Sequence, residues 1–359
     1  MSKVLRSLEV LREKISSKPK VIFWGAGPKV PGILEALCSV GNEVIPNPSF
    51  IMDSTRPLGE EEFGIPTLEF SAARETDPTT TLIVITAGLL DMQSHTIRNG
   101  LYYHEVIDHR ALELYAYLQS HPTDYEESLS LMSSGNSRNL YEDVVSSVLL
   151  GSVWNPGFRS DNPYFGNKHV PEIPPQKEVI FAGAFNGKHI TRMIQSGFKG
   201  KINAFEPNPD WAARTAQKFQ TDSQVTVDNL LLGDDQSSHH FHRDRSNGGL
   251  AARVVQSKTS DSQEIASVRL DSILLGRDVG LVALDVEGAE PAAIRGASEI
   301  IKSCKPILTI CLYHNPHDLI SLPLEIEKMF TGLYKYEVLQ HASATNIETV
   351  LYALPLGSS

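Results

Sequence analysis

A chain of 359 residues is too long for one ordinary domain and suits two. Its 41% hydrophobic and 21% charged residues are those of a globular protein, and no apolar run reaches the roughly 18–20 residues that a membrane span needs. The net charge of −11 argues against nucleic acid as the main partner, because phosphate binding needs a concentrated basic surface.

Uncharged or cationic partners fit that charge better. The N-terminus, MSKVLRSLEVLREKISSKPK, is amphipathic and lacks the apolar core of a secretory signal, which points to a cytoplasmic, non-membrane protein. Cys38, Cys304 and Cys311 form no CxxC pair and read as small buried hydrophobes.

Two segments share one pattern: an apolar β-type run, a glycine turn, a helix, then a second apolar run ending in an acid. The first is KVIFWGAGPKVPGILEALCSVG (Lys20–Gly41), followed by FIMD with Asp53. The second is EVIFAGAFNGKHITRMIQSGF (Glu178–Phe198), followed by INAFE with Glu206. This is the nucleotide-binding half of a doubly wound fold, and its repetition predicts two Rossmann-like α/β domains.

The first domain spans residues 1–110. Its turn, Gly25-Ala26-Gly27 with Gly32, departs from GxGxxG at Val30. Asp53 is placed to read a ribose, but the broken pattern favours a scaffold or acceptor-recognition role over NAD or nucleotide-sugar binding. TLIVITAG (Thr81–Gly88) and HEVIDH (His104–His109) are later strands. Residues 111–177 read as a helical and irregular connector or lid: ALELYAYLQS and NLYEDVVSSVLLGSV are helical, and NPGFRSDNPYFGNKHVPEIPP is loop-like.

The second domain spans residues 178–359. Val179–Gly183, Lys201–Glu206, Val225–Asn229, Leu281–Asp285 and Ile307–Leu312 read as buried parallel strands. Lys188–Ser196, Trp211–Phe219, Pro291–Lys302 and Leu319–Phe330 read as helices. Tyr336–His341 and Glu348–Leu354 are joined by so short a link that they must run antiparallel. A mostly parallel seven-stranded sheet ending in a hairpin is the class I methyltransferase architecture.

The turn Gly183-Ala184-Phe185-Asn186-Gly187 lets the backbone approach a ligand at a helix N-terminus. Glu206 ends the second strand, where a carboxylate accepts both ribose hydroxyls of an adenosine. Asp228 ends the third. LVALDVEGAEPAAI (Leu281–Ile294) puts Asp285 at the end of the fourth strand with Glu287 and Glu290 beyond it. This acidic group faces the carboxyl edge, where it favours a cation or a divalent metal. Glu290 also suits a helix N-terminus as a dipole partner. His314, just past the fifth strand, is a candidate general base, its rival reading being a structural loop histidine. His317 and Asp318 begin the next helix, with Asp318 as cap. His239–His240–Phe241–His242 read as a strand near a turn rather than a metal cluster.

In this order, AGAFNG, NAFEPNP, LDVEGAE, LYHNPHDL–LP and ETVLYA resemble the FkbM family of methyltransferases over about Glu178 to Pro355. Tyr164 and Phe165 in DNPYFGN resemble a segment that precedes that domain, and two-domain members carry an N-terminal Rossmann-like domain. The resemblance implies S-adenosylmethionine bound at Gly183–Gly187, Glu206, Asp228 and Asp285. It also implies methyl transfer to a hydroxyl of a sugar, polysaccharide or natural product, and placement at the ends of the fourth and fifth strands puts Asp285, Glu287 and His314 forward as the catalytic group. Two positions depart from the family pattern. Phe181 stands where an Asp usually helps hold the methionine end of the cofactor, and Ala283 where a Lys is common. These departures keep open a non-catalytic binding protein derived from a methyltransferase. A nucleotide-sugar or NAD enzyme acting through the first domain is the further alternative; no YxxxK-type pair supports it.

Overall fold

The structure is a computed structural model that describes residues 2–26, 30–40, 47–53, 58–86, 100–101, 103–151, 163–167, 170–243, 252–255, 262–341 and 348–357. Gly27, the link between the last two strands (342–347) and residues 244–251, which hold most of RDRSNGG, lie outside these residues. The chain divides into two units: residues 1–127 with 141–155, and residues 128–140 with 156–359.

In the first unit, α1 (Lys3–Ser16) is capped by Ser2, whose side chain accepts the Leu5 N–H, and buries Val4, Leu11 and Ile15 on one face. Strands β1 (Lys20–Trp24), β2 (Pro48–Met52), β3 (Glu61–Glu62), β4 (Ile65–Leu68), β5 (Thr81–Ile85) and β6 (Glu105–Asp108) form one sheet in the order β3-β4-β2-β1-β5-β6. All pairs are parallel except β3–β4. Helices α2 (Val30–Val40) and α3 (Phe70–Arg74) connect its first strands. Without the short β3, the order is that of a doubly wound parallel sheet. α4 (His109–Ser120) starts directly at β6, with Asp108 as its N-cap, and packs on α2. The helix read from sequence as the start of a connector is therefore part of this unit's core, because Leu112, Leu114, Tyr115 and Leu118 are buried. Two more helices follow, α5 (Asp124–Leu131) and α6 (Gly135–Leu150).

The second unit is built on β7 (Glu178–Ala182), β8 (Ile202–Phe205), β9 (Val225–Asp228), β14 (Val279–Leu284), β15 (Ile307–Cys311), β16 (Tyr334–Gln340) and β17 (Thr349–Pro355). Their order is β16-β17-β15-β14-β7-β8-β9, with β17 antiparallel to both β15 and β16. This is the seven-stranded sheet with a final hairpin that the sequence predicts. Continuous burial of β7, β14 and β15 reflects helices on both faces of a parallel sheet. The helices are α7 (Lys188–Gln195), α8 (Pro209–Lys218), α9 (Leu270–Leu274), α10 (Glu290–Gly296), α11 (Ser298–Cys304) and α12 (Asp318–Met329).

Two features differ from the sequence reading. Between β9 and α9 the chain adds a small sheet, β10 (Leu231–Leu232), β11 (Ser238–Arg243), β12 (Ala252–Val255) and β13 (Ser262–Val268), in the order β10-β13-β11-β12. The histidine-rich run His239–His242 lies in β11 of this sheet. The expected single helix Pro291–Lys302 is instead α10 and α11, broken at Ala297. The break lies beside a tight crossing, since a Cβ on Gly296 would meet the Gly233 carbonyl oxygen at 1.8 Å. Gly296→Ala is therefore expected to cost at least about 1–3 kcal/mol of stability, as forced overpacking does. Urea unfolding checks this; an unchanged midpoint would refute the tight crossing.

Candidate functional site

The turn from β7 into α7 places its backbone at the carboxyl edge of the sheet. Gly183 has φ 83° and Gly187, the N-cap of α7, has φ 68°. Both conformations are costly for a residue with a Cβ, and neither position has space for one. A Cβ on Gly183 would lie 1.8 Å from the Asp285 carbonyl oxygen, and one on Gly187 would lie 2.6 Å from the Phe219 ring. Phe185, between them, adopts φ 44° and stacks obliquely on Trp211, ring centres 4.1 Å apart. Asn186 accepts the Lys188 N–H, and Ala184 is buried under the turn.

Glu206 follows β8 and is 6% exposed. The Phe185 N–H donates to its Oε2 at 2.7 Å and the Asn208 N–H to its Oε1 at 2.8 Å. One carboxylate thus ties the glycine turn to the start of α8. Burial raises its pKa, and the two backbone N–H groups oppose that rise. A carboxylate has about four lone-pair sites, so roughly two remain for further donors. Asp228 closes the edge beside it: the Glu206 N–H donates to the Asp228 carbonyl at 3.0 Å.

On the other side of Gly183 lies a charged cluster. Asp285 accepts hydrogen bonds from Tyr164 (Oδ2, 2.8 Å) and Tyr313 (Oδ1, 3.1 Å). Its Oδ1 also lies 3.3 Å from His314 Nε2, and its side chain is 31% exposed. His314 Nδ1 lies 2.8 Å from Glu290 Oε1, with both side chains buried. Glu290 in turn accepts the Val286 and Gly288 N–H groups, at 2.9 and 3.0 Å. Glu287, at φ 55°, reaches within 3.8 Å of His314 Nε2. The structure therefore brings Asp285, Glu287 and His314 together, as their placement at neighbouring strand ends suggested.

The charge state follows from the geometry. Burial alone would depress the His314 pKa; the carboxylates of Glu290 and Asp285 outweigh it and raise it well above the ordinary imidazole value. Burial would raise the Asp285 pKa, and the hydrogen bond and charge of His314 overcome it, holding Asp285 ionised. Burial, then the charge of Asp285, pushes Tyr164 well up, so its hydroxyl stays a donor. An imidazolium with both N–H groups engaged has no lone pair for a proton or a metal. Among the described residues, no group of three or more His, Cys, Asp or Glu side chains is arranged to hold a metal ion.

Of the remaining members of this cluster, Tyr313 is absent from the sequence reading, Tyr164 enters it without a role and Glu290 as part of the acidic group or a helix-dipole partner. Tyr164 and Tyr313 hold Asp285, and Glu290 is a buried partner of His314 as well as the first residue of α10. His189, on α7, lines a cavity of about 10 Å³ with Tyr164, Phe181, Gly183, Ala283 and Asp285. Its Nδ1 has no hydrogen-bond partner among the described residues, and burial lowers its pKa to about 4, so the ring is neutral. Phe181 and Ala283, the two departures from the family pattern, are Cα partners on β7 and β14 and line this same cavity.

The His314 pair gives a prediction with a definite sign. The folded value lies above the unfolded one of 6.5, so the stabilisation is complete below pH 6.5 and is lost as pH rises through the folded value. His314→Ala leaves Glu290 buried without its counter-charge and is expected to cost ~3–5 kcal/mol near neutral pH. Urea midpoints of wild type and variant should draw together as pH becomes alkaline; a gap that widens would contradict the charge assignment.

Residues 182–338 match the family described as the methyltransferase FkbM domain. The crystal structure of methyltransferase FkbM from Methylobacillus flagellatus KT is similar over 98% of this chain and 98% of that one, at 15% identity and a TM-score of 0.59. A putative rRNA methylase from Clostridium thermocellum is similar over 52% of this chain and 90% of its own, at 13% identity and a TM-score of 0.32. A SAM-dependent methyltransferase from Aquifex aeolicus is similar over 52% of this chain and 85% of its own, at 12% identity and a TM-score of 0.30. No curated protein matches the chain.

Proposed function

From the premise that residues 182–338 form a methyltransferase FkbM domain, we propose that the protein binds S-adenosylmethionine at Gly183–Gly187 and Glu206 and methylates a hydroxyl oxygen of a sugar, polysaccharide or natural product. The observation that carries this reading is the bridging carboxylate of Glu206, which is anchored to the glycine turn and keeps acceptor capacity for a ribose diol. The residues present fit such a cofactor: two glycines leave no Cβ over the turn, and a partly exposed, ionised Asp285 sits against Gly183 where a cationic group gains from it. When bound, the cofactor supplies an electrophilic methyl group on a sulfonium sulfur.

The chain's own residues then divide the work. Tyr164, Tyr313 and His314 fix the orientation of Asp285 and keep it charged. Asp285 and Glu287 face the acceptor, and Glu287 takes up the proton that its hydroxyl must lose while Asp285 stays a carboxylate. His314 acts through them as a positioning residue, because a ring doubly bound as imidazolium cannot serve as the base. The rest of the rate comes from holding oxygen, methyl and sulfur in line.

A second reading, a nucleotide-type ligand on the first unit, is favoured by one observation. The Ala26 N–H donates to Asp53 Oδ2 at 2.7 Å, the same turn-to-acid bond as Phe185 to Glu206. Titration calorimetry separates the two. S-adenosylhomocysteine should bind, and Glu206→Ala, checked for a native circular-dichroism spectrum, should weaken it by ~1–3 kcal/mol through lost charge-assisted hydrogen bonds. Unchanged affinity in a folded Glu206→Ala protein would remove the assignment, and tight NAD binding lost in Asp53→Ala would favour the second reading.

A further inference from the structure

Against Gly183 lies the small cavity of about 10 Å³ that His189 shares with Asp285 and Tyr164. That volume admits a single water-sized group. Phe181 and Ala283 give it apolar walls, and its only polar side chains are those of Asp285, His189 and Tyr164.

Three observations set the chemistry of an occupant. First, the buried Nδ1 of His189 has no hydrogen-bond partner among the described residues. A buried polar atom left unpaired is costly, so Nδ1 gains from a donor that enters beside it. Second, the side chains offer an occupant acceptors. Tyr164 directs its hydroxyl hydrogen to Asp285 at 2.8 Å, and Asp285 is ionised. Burial keeps the His189 ring neutral against the pull of Asp285, with a pKa of about 4, so the ring retains a nitrogen lone pair. Tyr164 packs edge-on against that ring, their centres 4.7 Å apart. Third, the cavity lies at the Gly183 end of the turn, on the Asp285 side, whereas Glu206 is tied to Phe185. A cofactor with its ribose on Glu206 therefore reaches the cavity with the part beyond the ribose, a sulfur followed by an α-amino acid.

We propose that His189 holds the α-ammonium group of the cofactor in this cavity, its Nδ1 accepting one ammonium N–H while Asp285 accepts another. The inference rests on the cofactor reading above and adds a binding residue to that site. An ammonium is water-sized and carries donors only, which matches side chains that offer acceptors. Its charge also disfavours protonation of a neighbouring imidazole, so ligand and ring hold each other in the required states. A carboxylate in the same place would face the charge of Asp285 and leave Nδ1 unpaired. An analogue without the ammonium leaves buried acceptors unpaired, which makes the cavity selective for an amino acid end.

The test is titration calorimetry on the full chain with S-adenosylhomocysteine and its desamino analogue, 5′-S-(3-carboxypropyl)-5′-thioadenosine, which keeps the carboxylate and lacks the ammonium. His189→Ala should weaken S-adenosylhomocysteine about 10-fold, on the order expected for a hydrogen bond to a charged group. The analogue should bind that variant within about twofold of wild type, since it makes no contact for the variant to lose. His189→Asn, whose amide oxygen can take the place of Nδ1, should keep most of the affinity for S-adenosylhomocysteine. Nitrogen-15 NMR of the wild-type ring, assigned by comparison with His189→Asn, gives a readout that survives a variant's failure to fold. Nδ1 should be unprotonated and should shift on addition of S-adenosylhomocysteine but not of the analogue. Equal loss of both ligands in a folded His189→Ala protein, undiminished binding of S-adenosylhomocysteine there, or an Nδ1 that is protonated or unmoved would overturn the proposal. A wild type that binds neither ligand would instead overturn the cofactor reading.

Discussion

A buried imidazolium held between Glu290 and Asp285 fixes the carboxyl edge of the seven-stranded sheet. Glu290 has no exposed surface and reaches back to two backbone N–H groups of the loop that carries Asp285 and Glu287. His314 comes from the loop after the next strand. The contact therefore locks two strand-end loops to each other, and neither partner can be removed without leaving a desolvated charge. The orientation of Asp285 follows, completed by Tyr164 and Tyr313, and the backbone of Asp285 presses on Gly183. From this one ion pair the constraint passes to the glycine turn and, through Phe185, to Glu206.

The two departures from the family pattern are neighbours in the structure. Phe181 and Ala283 face each other across β7 and β14. Where the family resemblance leads one to expect an Asp and a Lys, this chain pairs a large and a small apolar residue. Losing one charge alone would strand the other in a dry core, whereas replacing both by a packed pair is often neutral or stabilising. The apolar pair leaves Glu206 and Asp285 in place, so the turn-to-acid geometry is intact.

Much of this architecture was legible in the residues. The apolar runs ending in Asp53, Glu206 and Asp285 announced parallel strands, and the short link after Tyr336–His341 announced the hairpin; both are present. The small sheet from β10 to β13 was not legible as a unit, because β10 is only two residues long and β11, SHHFHR, is polar apart from Phe241. The break at Ala297 was hidden for another reason. It depends on the Gly233 carbonyl, far away in sequence, and no local propensity records it. The candidate site shows the same division. Glycines and acids at strand ends identified the edge, but the protonation state of His314 depends on which carboxylates face it. Glu290 looked like a partner for a helix dipole, and only burial shows it to be the counter-ion. Tyr164 stood out in its motif without a stated role, and the structure gives it one at Asp285.

The direct measurement of this central ion pair is the nitrogen-15 NMR spectrum of the His314 ring, assigned by comparison with His314→Ala, across neutral to alkaline pH. Both ring nitrogens are expected to show imidazolium shifts, each carrying a slowly exchanging proton, at pH values where an ordinary histidine is neutral. A neutral ring with a single protonated nitrogen at pH 7 would contradict it, and would return His314 to the role of base.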